Sequence, residues 1–200
     1  MKRALTTVLL VRHGQSTWNA EGRWQGQADP PLSAMGVEQA KSASASPELE
    51  GVDGWWGSDL ERARHTAALL TAGRAPVRMD PNLRERHAGE WEGLTRAEIE
   101  AGWPGFLAEH QRPAGWEDDD ALVERAFVSL TEIAERVPGG RVVAVTHGGV
   151  IRALERRFAA DDLPVPNLGG RWFEVGDTPS GLGERVLLVD VGQVTVPGQI

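Results

Sequence analysis

The chain has 200 residues, of which 40% are hydrophobic and 25% are charged, and its formal net charge is −8. Such a chain is long enough to bury one substantial core and has the composition of an ordinary globular protein. The acidic balance argues against a nucleic-acid-binding protein, which needs a basic face. The absence of cysteine excludes disulfides, thiolate nucleophiles and thiolate metal sites.

Neither a targeting segment nor a membrane span is expected. The first five residues, MKRAL, lack the apolar core of a signal peptide. No apolar run approaches the roughly 18 residues that a membrane helix needs. We therefore expect a cytoplasmic protein that binds no membrane, and a single domain over 1–200.

The first predicted element is a buried strand at Val8–Val11, because four consecutive apolar residues end abruptly in Arg12, His13 and Gly14. Gly14 is expected to let backbone amides approach an anion. The next elements, in chain order, are a polar loop over 19–31, a helix over 33–45, a strand over 52–57, a helix opened by a capping box at 58–61, and a short strand over 76–79.

The second half begins with a lid-like insertion over about 81–120. Its residues 83–93 show no period and are predicted to lie over the sheet as a loop rather than in the core. The later elements are a capped helix opened by Thr95, a helix over 118–137, a strand over 141–146, a helix after His147, and closing strands over 172–175 and 186–191. This alternation predicts an α/β fold, a mainly parallel open sheet with helices on both faces.

Two strand ends present a histidine followed by glycine, at His13 and at His147. Right-handed crossovers bring the carboxyl ends of parallel strands to one edge, so both imidazoles can face one pocket. Gly148 and Gly149 open a helix there, and their amides are expected to bind an anion, as helix N-termini do. A phosphoryl group suits this edge because its charge is spread over three oxygens that need several donors. The residues expected around it are Arg12, His13, Asn19, Arg62, His147 and Gly148.

Other sites are less well supported. The five histidines have no metal-ligand spacing, and the neighbouring arginines would repel a cation. Ser16 lacks the sequence of a nucleophile elbow, and the remaining histidines (His65, His87 and His110) are expected at the solvated surface. Loop residues that can form the rim of a pocket are Trp24, Gln25, Gly26, Trp103 and Trp116.

Four ordered motifs resemble those of the histidine phosphatase superfamily, the phosphoglycerate mutase-like family. They are Arg12-His13-Gly14, the stretch 58–63, Leu83-Arg84-Glu85 and the stretch 146–149, and the resemblance runs from about residue 8 to residue 158. It implies a three-layer α/β/α fold and phosphoryl transfer without a metal or cofactor. It further implies that His13 is transiently phosphorylated, that Glu85 donates and accepts the proton, and that the other residues of the predicted site hold the phosphate.

Elementary chemistry agrees with these implied roles. A neutral imidazole can attack phosphorus, and neighbouring guanidinium groups disfavour its protonation. The same guanidinium groups stabilise negative charge on the transferring oxygens. Glu85 would have to be protonated when an alcohol leaves and ionised when water attacks. From the residues alone, however, Glu85 between Arg84 and Arg86 is better explained as a salt-bridged surface acid.

We expect a phosphomonoesterase acting on a small phosphorylated metabolite. Mutases that resemble this family carry a longer segment than the one between Thr95 and Pro113, so a water-accessible pocket is favoured. A cofactor-dependent phosphoglycerate mutase and a non-catalytic phosphate-binding module are the alternatives, and a homodimer is left open.

One departure from the family pattern concerns the substrate. Residues 115–118 read Gly-Trp-Glu-Asp where many relatives have Gly-Glu-Ser. The sequence predicts that the added carboxylate repels acidic substrates, and that neutral or aromatic leaving groups are favoured if Trp116 turns inward.

Overall fold

A computed structural model describes residues 4–189 of the chain. Its framework is one sheet of six strands in the order β3-β2-β4-β1-β5-β6. The strands are β1 (Thr6–Arg12), β2 (Gly54–Gly57), β3 (Arg78–Met79), β4 (Arg141–Thr146), β5 (Gly169–Val175) and β6 (Pro179–Leu187). The helices are α1 (Thr17–Glu21), α2 (Ala34–Ala43), α3 (Glu61–Thr71), α4 (Arg96–Gly102), α5 (Asp119–Arg136) and α6 (Gly148–Arg157), with short 3₁₀ turns at Pro47–Leu49, Pro81–Leu83 and Gly89–Trp91.

The sheet is mixed. The pairs β3–β2, β2–β4 and β4–β1 are parallel, whereas β1–β5 and β5–β6 are antiparallel. The α/β class is confirmed, and the mainly parallel part is the first four strands of the order. The two closing strands form an antiparallel hairpin at one edge of it.

Strand β1 explains why helices cover both faces. Successive side chains of a strand point to opposite faces. Val8 and Leu10 pack in the apolar cluster that contains residues of α5 and α6, whereas Leu9 and Val11 pack in the cluster that contains residues of α2 and α3. All four side chains are fully buried. Burial on both faces explains why the apolar residues of this strand follow one another without alternation. The helices on the two faces and the sheet between them form three layers.

The structure corrects several local predictions. Helix α1 runs into the first residues of the stretch 19–31 that is predicted as a polar loop, and Ser16 begins the helix with a capping box. Helix α3 has Leu60 at its N-cap position with no side-chain cap, so the capping box at 58–61 is wrong. The prediction that 83–93 avoids the core is also wrong, because Leu83 and Trp91 are fully buried. The last strand covers 179–187 rather than 186–191, of which 190 and 191 lie outside the described residues.

The stretch between β3 and α5, predicted as an insertion, contains helix α4 and two 3₁₀ turns. Thr95 opens α4 with the capping box that the sequence predicts. Within residues 4–189, no helix is both long enough and apolar enough to cross a lipid bilayer.

Candidate active site

His13 lies directly after β1, and its backbone fixes the ring at the carboxyl edge of the sheet. Its N–H donates to the carbonyl of Thr146 at 3.0 Å, which continues the pairing of β1 with β4. The ring nitrogen Nδ1 lies 2.6 Å from the carbonyl oxygen of Gly14. Since a carbonyl can only accept, this contact places the proton on Nδ1 and leaves a lone pair on Nε2. Arg62 Nε donates to Nε2 at 3.2 Å, as that assignment requires.

The charge state of His13 follows from its surroundings. Only 2% of the residue is exposed to solvent. Burial lowers the pKa of His13 well below its usual value, and the guanidinium groups of Arg62 and Arg12 lower it further. The imidazole is therefore neutral at neutral pH, and its Nε2 lone pair carries no proton and accepts the hydrogen bond from Arg62.

Two buried guanidinium groups lie beside this imidazole. Arg62, on the first turn of α3, donates to the carbonyl oxygens of Gly26 at 2.9 Å and Ala28 at 2.7 Å. Arg12 donates from Nη1 to the carbonyl oxygen of Val165 at 2.7 Å. Burial lowers the pKa of each arginine to about 10, so both remain charged at neutral pH. Among the described residues, no carboxylate forms a hydrogen bond with either group, and the charge of Glu85 offsets only part of the lowering of their pKa values.

His147, at the N-cap position of α6, meets His13 across the site. The ring centroids are 5.1 Å apart and the planes are inclined by 64°. Burial is the main cause that lowers the pKa of His147, followed by the charge of Arg62. Its Nε2 lies 2.9 Å from the hydroxyl of Ser58, which also accepts the N–H of Leu60. If the hydroxyl donates to Nε2, the proton of the neutral ring is on Nδ1. Ser58 therefore contacts a histidine of the site and does not cap a helix.

Three buried polar atoms of this site have no hydrogen-bond partner within the described part of the chain. They are Arg12 Nε, Asn19 Nδ2 and His147 Nδ1. In Asn19 the carbonyl oxygen of the side chain is occupied, because it accepts from Ser16 N at 3.2 Å and from Asn167 Nδ2 at 3.4 Å. Buried polar atoms are nearly always paired in native proteins. An oxygen-rich anion would provide partners for these unpaired atoms and charge for the two arginines, which have no hydrogen-bonded carboxylate in the described chain.

Glu85 reaches the site from the stretch after β3. Its Oε2 accepts the backbone N–H of Gly149 at 3.0 Å, and its Oε1 accepts that of Arg86 at 2.8 Å. The expectation that the Gly149 amide binds the external anion is therefore wrong, because it binds this carboxylate. A Cβ at position 149 would lie 2.2 Å from Glu85 Oε1, so any larger residue there would displace the carboxylate. Gly148 packs against Arg12 instead, where a Cβ would lie 3.4 Å from Nη1.

An ion pair holds the backbone next to Glu85. Arg125 on α5 donates to both carboxylate oxygens of Glu117, at 2.7 and 2.8 Å. The same guanidinium donates to the carbonyl oxygens of Asn82, Arg84 and Glu85 at 2.7–3.0 Å. Glu117 is thus compensated, and Asp118 is the N-cap of α5. Both carboxylates therefore have structural partners, and their predicted repulsion of an acidic substrate stays a prediction.

A pocket of about 350 Å³ opens above these residues. Arg12, Glu85 and Gly148 line it, together with the predicted rim residues Trp24, Gln25, Gly26 and Trp116. His13, Asn19, Arg62 and His147 are buried and do not belong to the lining, and Arg12 and Gly148 connect them to it. Trp103 does not belong to it either, and packs against Trp91 at 6.4 Å.

The mouth of the pocket carries a cation that the sequence did not single out. The guanidinium carbon of Arg112 lies 5.0 Å from the ring centroid of Trp116 and 5.9 Å from that of Trp91. Its one hydrogen bond is to the carbonyl oxygen of Gln111 at 2.8 Å, and no carboxylate in the described chain pairs with it. Three other lining arginines are paired with aspartates, namely Arg86, Arg152 and Arg156. The free donors of Arg112 can therefore meet an anionic group.

Two further expectations concern Gly14 and metal ions. The N–H of Gly14 donates to the hydroxyl of Thr66 at 3.1 Å, so it is not a donor to a ligand. Gly14 is needed because a Cβ would lie 2.7 Å from the carbonyl oxygen of Gly36. Within residues 4–189, no group of three or more histidine, aspartate and glutamate side chains is arranged to hold a metal ion.

Fold and site together define a three-layer α/β protein with a neutral histidine, two buried guanidinium groups and a carboxylate at the carboxyl edge of its sheet. Residues 8–170 match the family model of the histidine phosphatase superfamily, branch 1. The chain belongs to this superfamily.

Similar proteins agree with this assignment. The chain is 39% identical over 164 residues to a metal-independent phosphoserine phosphatase of Arabidopsis thaliana, covering 77% of this chain and 69% of that protein. It is 37% identical over 204 residues to a glucosyl-3-phosphoglycerate phosphatase of Mycolicibacterium vanbaalenii, covering 92% and 90% of the two chains. A solved mycobacterial glucosyl-3-phosphoglycerate phosphatase, in complex with VO3, superimposes with a TM-score of 0.75 at 31% identity, covering 84% of this chain and 90% of that one.

Proposed function

We propose that this protein is a phosphomonoesterase that hydrolyses small phosphorylated metabolites through a phosphohistidine intermediate on His13. The observation that carries the proposal is the lone pair of Nε2, which is kept free of a proton and is placed beside Arg62. The proposed mechanism uses neither a metal ion nor an organic cofactor. The relatives named as phosphatases, which include a metal-independent one, support this reading.

In the first step, Nε2 attacks phosphorus, a P–N bond forms and the ester P–O bond breaks. The leaving oxygen takes a proton from Glu85, which must be protonated at that moment. The Nε–H group of Arg62 exchanges its acceptor, His13 Nε2, for a phosphoryl oxygen of the substrate. Binding of the substrate therefore frees the lone pair of Nε2 for the attack. Arg12, Asn19, Arg62, His147 and the Gly148 end of α6 surround the phosphoryl group, where their donors stabilise the charge that develops on it.

In the second step, water attacks phosphorus and the P–N bond breaks. Glu85, now ionised, takes a proton from the water, and inorganic phosphate is released. The contacts from Gly149 and Arg86 hold the carboxylate in one place for both steps. One carboxyl group therefore serves as acid and then as base.

The first test replaces the nucleophile. We expect His13→Ala to abolish hydrolysis of p-nitrophenyl phosphate while circular dichroism shows an intact fold, because no other group supplies the attacking nitrogen. His65→Ala is the matched control, since His65 is exposed on α3. Unchanged activity in His13→Ala would overturn the proposal. Strong stimulation of phosphoglycerate interconversion by 2,3-bisphosphoglycerate would identify a mutase instead.

The leaving group is proposed to carry a second anionic group. Arg112 lies at the mouth of the pocket over Trp116 with free donors, and the acidic residues 117 and 118 are engaged elsewhere. The substrates in the names of the two relatives described above, phosphoserine and glucosyl-3-phosphoglycerate, each contain a carboxylate besides the phosphate. We infer that Arg112 pairs with such a group.

The second test separates leaving groups. Arg112→Met is expected to lower kcat/KM for phosphoserine and 3-phosphoglycerate by about tenfold, the size of one charge-assisted hydrogen bond. Hydrolysis of p-nitrophenyl phosphate, whose leaving group has no carboxylate, should change little. Arg157→Met, at an exposed position on α6, is the control. Equal losses on all three substrates would contradict the role of Arg112.

Other partners stay predictions from the sequence. A cytoplasmic location and the absence of nucleic-acid and membrane binding are proposed on composition and on the lack of long apolar runs, and a homodimer stays open. Cell fractionation and sedimentation analysis would test them.

A further inference from the structure

Residues 161–168, here called the brace segment, form no helix or strand and run from the end of α6 to β5. Three contacts join the segment to the site. The carbonyl oxygen of Val165 accepts Arg12 Nη1 at 2.7 Å, and the N–H of Leu168 donates to the carbonyl oxygen of Arg12 at 3.0 Å. Asn167 Nδ2 donates to the carbonyl oxygen of His13 at 2.9 Å.

The brace segment also orients Asn19. Asn167 is fully buried, and its Nδ2 lies 3.4 Å from Asn19 Oδ1. This contact requires the oxygen of the Asn19 amide to face Asn167, so the NH2 group faces the other way. That group, Nδ2, is one of the buried atoms without a partner in the described chain. Asn167 and the backbone N–H of Ser16, which donates to the same oxygen at 3.2 Å, together fix which end of the Asn19 amide is presented to a ligand.

On its other side, the brace segment is held by Arg185 of β6. Arg185 donates to the carbonyl oxygens of Leu163 at 3.1 Å and Pro164 at 3.3 Å. The same guanidinium forms two hydrogen bonds with Glu155 of α6, at 2.8 and 2.5 Å. Glu155 is fully buried and also accepts from Arg171 of β5 at 3.2 Å. Breaking a buried ion pair is strongly destabilising, because it leaves a buried charge without its partner. The Glu155 carboxylate therefore holds both guanidinium groups firmly in place.

We propose that Arg185 is a positioning residue of the active site, which acts through the brace segment to hold Arg12 and the Asn19 amide in place for phosphate. The chain of contacts is Glu155 to Arg185, Arg185 to the carbonyls of 163–164, and Val165 to Arg12. Pro164 and Pro166 restrict the backbone of the segment, so a hold at one end is transmitted to the other. This inference rests on the proposed function in taking the pocket as a phosphate site.

Arg171 supplies a matched control. Both arginines bind Glu155 and both belong to the β5–β6 hairpin. Within the described chain, however, Arg171 donates to Glu155 and to the carbonyl oxygen of Gly183 and not to the brace segment. Arg185→Met and Arg171→Met should therefore lower the Tm alike. Only Arg185→Met should also raise the KM for p-nitrophenyl phosphate and the inhibition constant of vanadate, each by about tenfold, since a misplaced group weakens binding of the phosphoryl oxygens.

The outcomes are separable. Equal KM and vanadate inhibition constants in the two variants, with Arg171→Met as the reference, would overturn the inference. If Arg185→Met does not fold, Arg185→Lys decides, because a lysine can pair with Glu155 but cannot also reach both carbonyls; wild-type binding of vanadate in that variant would overturn the inference. If the wild-type protein binds vanadate by calorimetry but hydrolyses no ester, the proposed function fails, and the same comparison of vanadate affinities still tests Arg185.

Discussion

A single backbone carbonyl decides which nitrogen of His13 can attack phosphorus. The Gly14 oxygen fixes the proton on Nδ1, and Arg62 meets the lone pair on Nε2. The sequence places His13 beside Arg12 and indicates a strand end, but the tautomer depends on how the backbone turns after β1. Ser58 shows the same limit. Its spacing resembles a helix cap, and only the folded chain brings it to His147.

The lowered pKa values of His13 and His147 predict how activity and stability depend on pH. A histidine whose pKa falls on folding binds fewer protons in the folded state than in the unfolded state below pH ~6.5. The free energy of unfolding should therefore be highest above that pH. It should decrease as the pH falls below it, by at most ~1.4 kcal/mol per pH unit for each histidine. His13 should stay neutral and nucleophilic over the same window.

Titration of ¹⁵N-labelled histidine by NMR measures this directly. The His13 resonances should report the Nδ1-protonated neutral tautomer at pH 6.5, and should change to the imidazolium form only at distinctly lower pH. Urea unfolding at several pH values provides the stability readout. A His13 signal that titrates at or above the usual histidine value would contradict the electrostatic origin of its reactivity.

At the scale of elements, the long apolar patterns were the predictable part. Strands β1 and β4 and helix α5 follow from continuous or periodic apolar residues with clear ends, and α4 follows from its capping box. Helix α1 was missed because five residues are too short to show a period. The stretch between β3 and α5 was misread because its partners, Arg125 and Gly149, lie far away in sequence and hold it through backbone atoms.

The contact between that stretch and α6 gives a prediction. Gly149→Ala should displace the Glu85 carboxylate, because the new Cβ would lie 2.2 Å from Oε1. Complete loss of general acid catalysis lowers a rate by about 10²–10⁴-fold. A displaced carboxylate loses part of this effect, so kcat for an alkyl phosphate should fall by at least about tenfold. Hydrolysis of p-nitrophenyl phosphate should fall less, since p-nitrophenolate leaves without a proton.

Steady-state kinetics on both substrates checks this prediction. Gly102→Ala is the control, because a Cβ at that position of α4 meets nothing within 4 Å. Equal rates for Gly149→Ala and the wild-type protein on the alkyl phosphate would show that the Gly149 contact does not position Glu85.

At the scale of the whole molecule, charge is distributed unevenly. The chain has a net charge of −8, yet two guanidinium groups without a carboxylate partner in the described chain lie at the carboxyl edge of the sheet. The composition argues against a basic binding face, but it carries no information on this local excess. The antiparallel hairpin β5–β6 had no functional expectation attached to it, and it carries Arg185, whose contacts reach the brace segment. The family motifs indicated the central residues, and the residues that support them became visible only in the fold.

The measurement that tests the phosphohistidine most directly is its capture on Glu85→Gln. With p-nitrophenyl phosphate the leaving group needs no proton, so the phosphoryl group should still reach His13. Without the general base, attack by water should be slow, and the phosphoenzyme should accumulate.

Alkaline quenching followed by peptide mass spectrometry should then find one phosphoryl group per chain, on Nε2 of His13, together with a stoichiometric burst of p-nitrophenolate. A control with Glu90→Gln, at an exposed position of the same stretch, should turn over without accumulation. A burst with the phosphoryl group on His147 or Ser16, or a Glu85→Gln protein that carries no phosphoryl group at any time, would contradict the proposed mechanism.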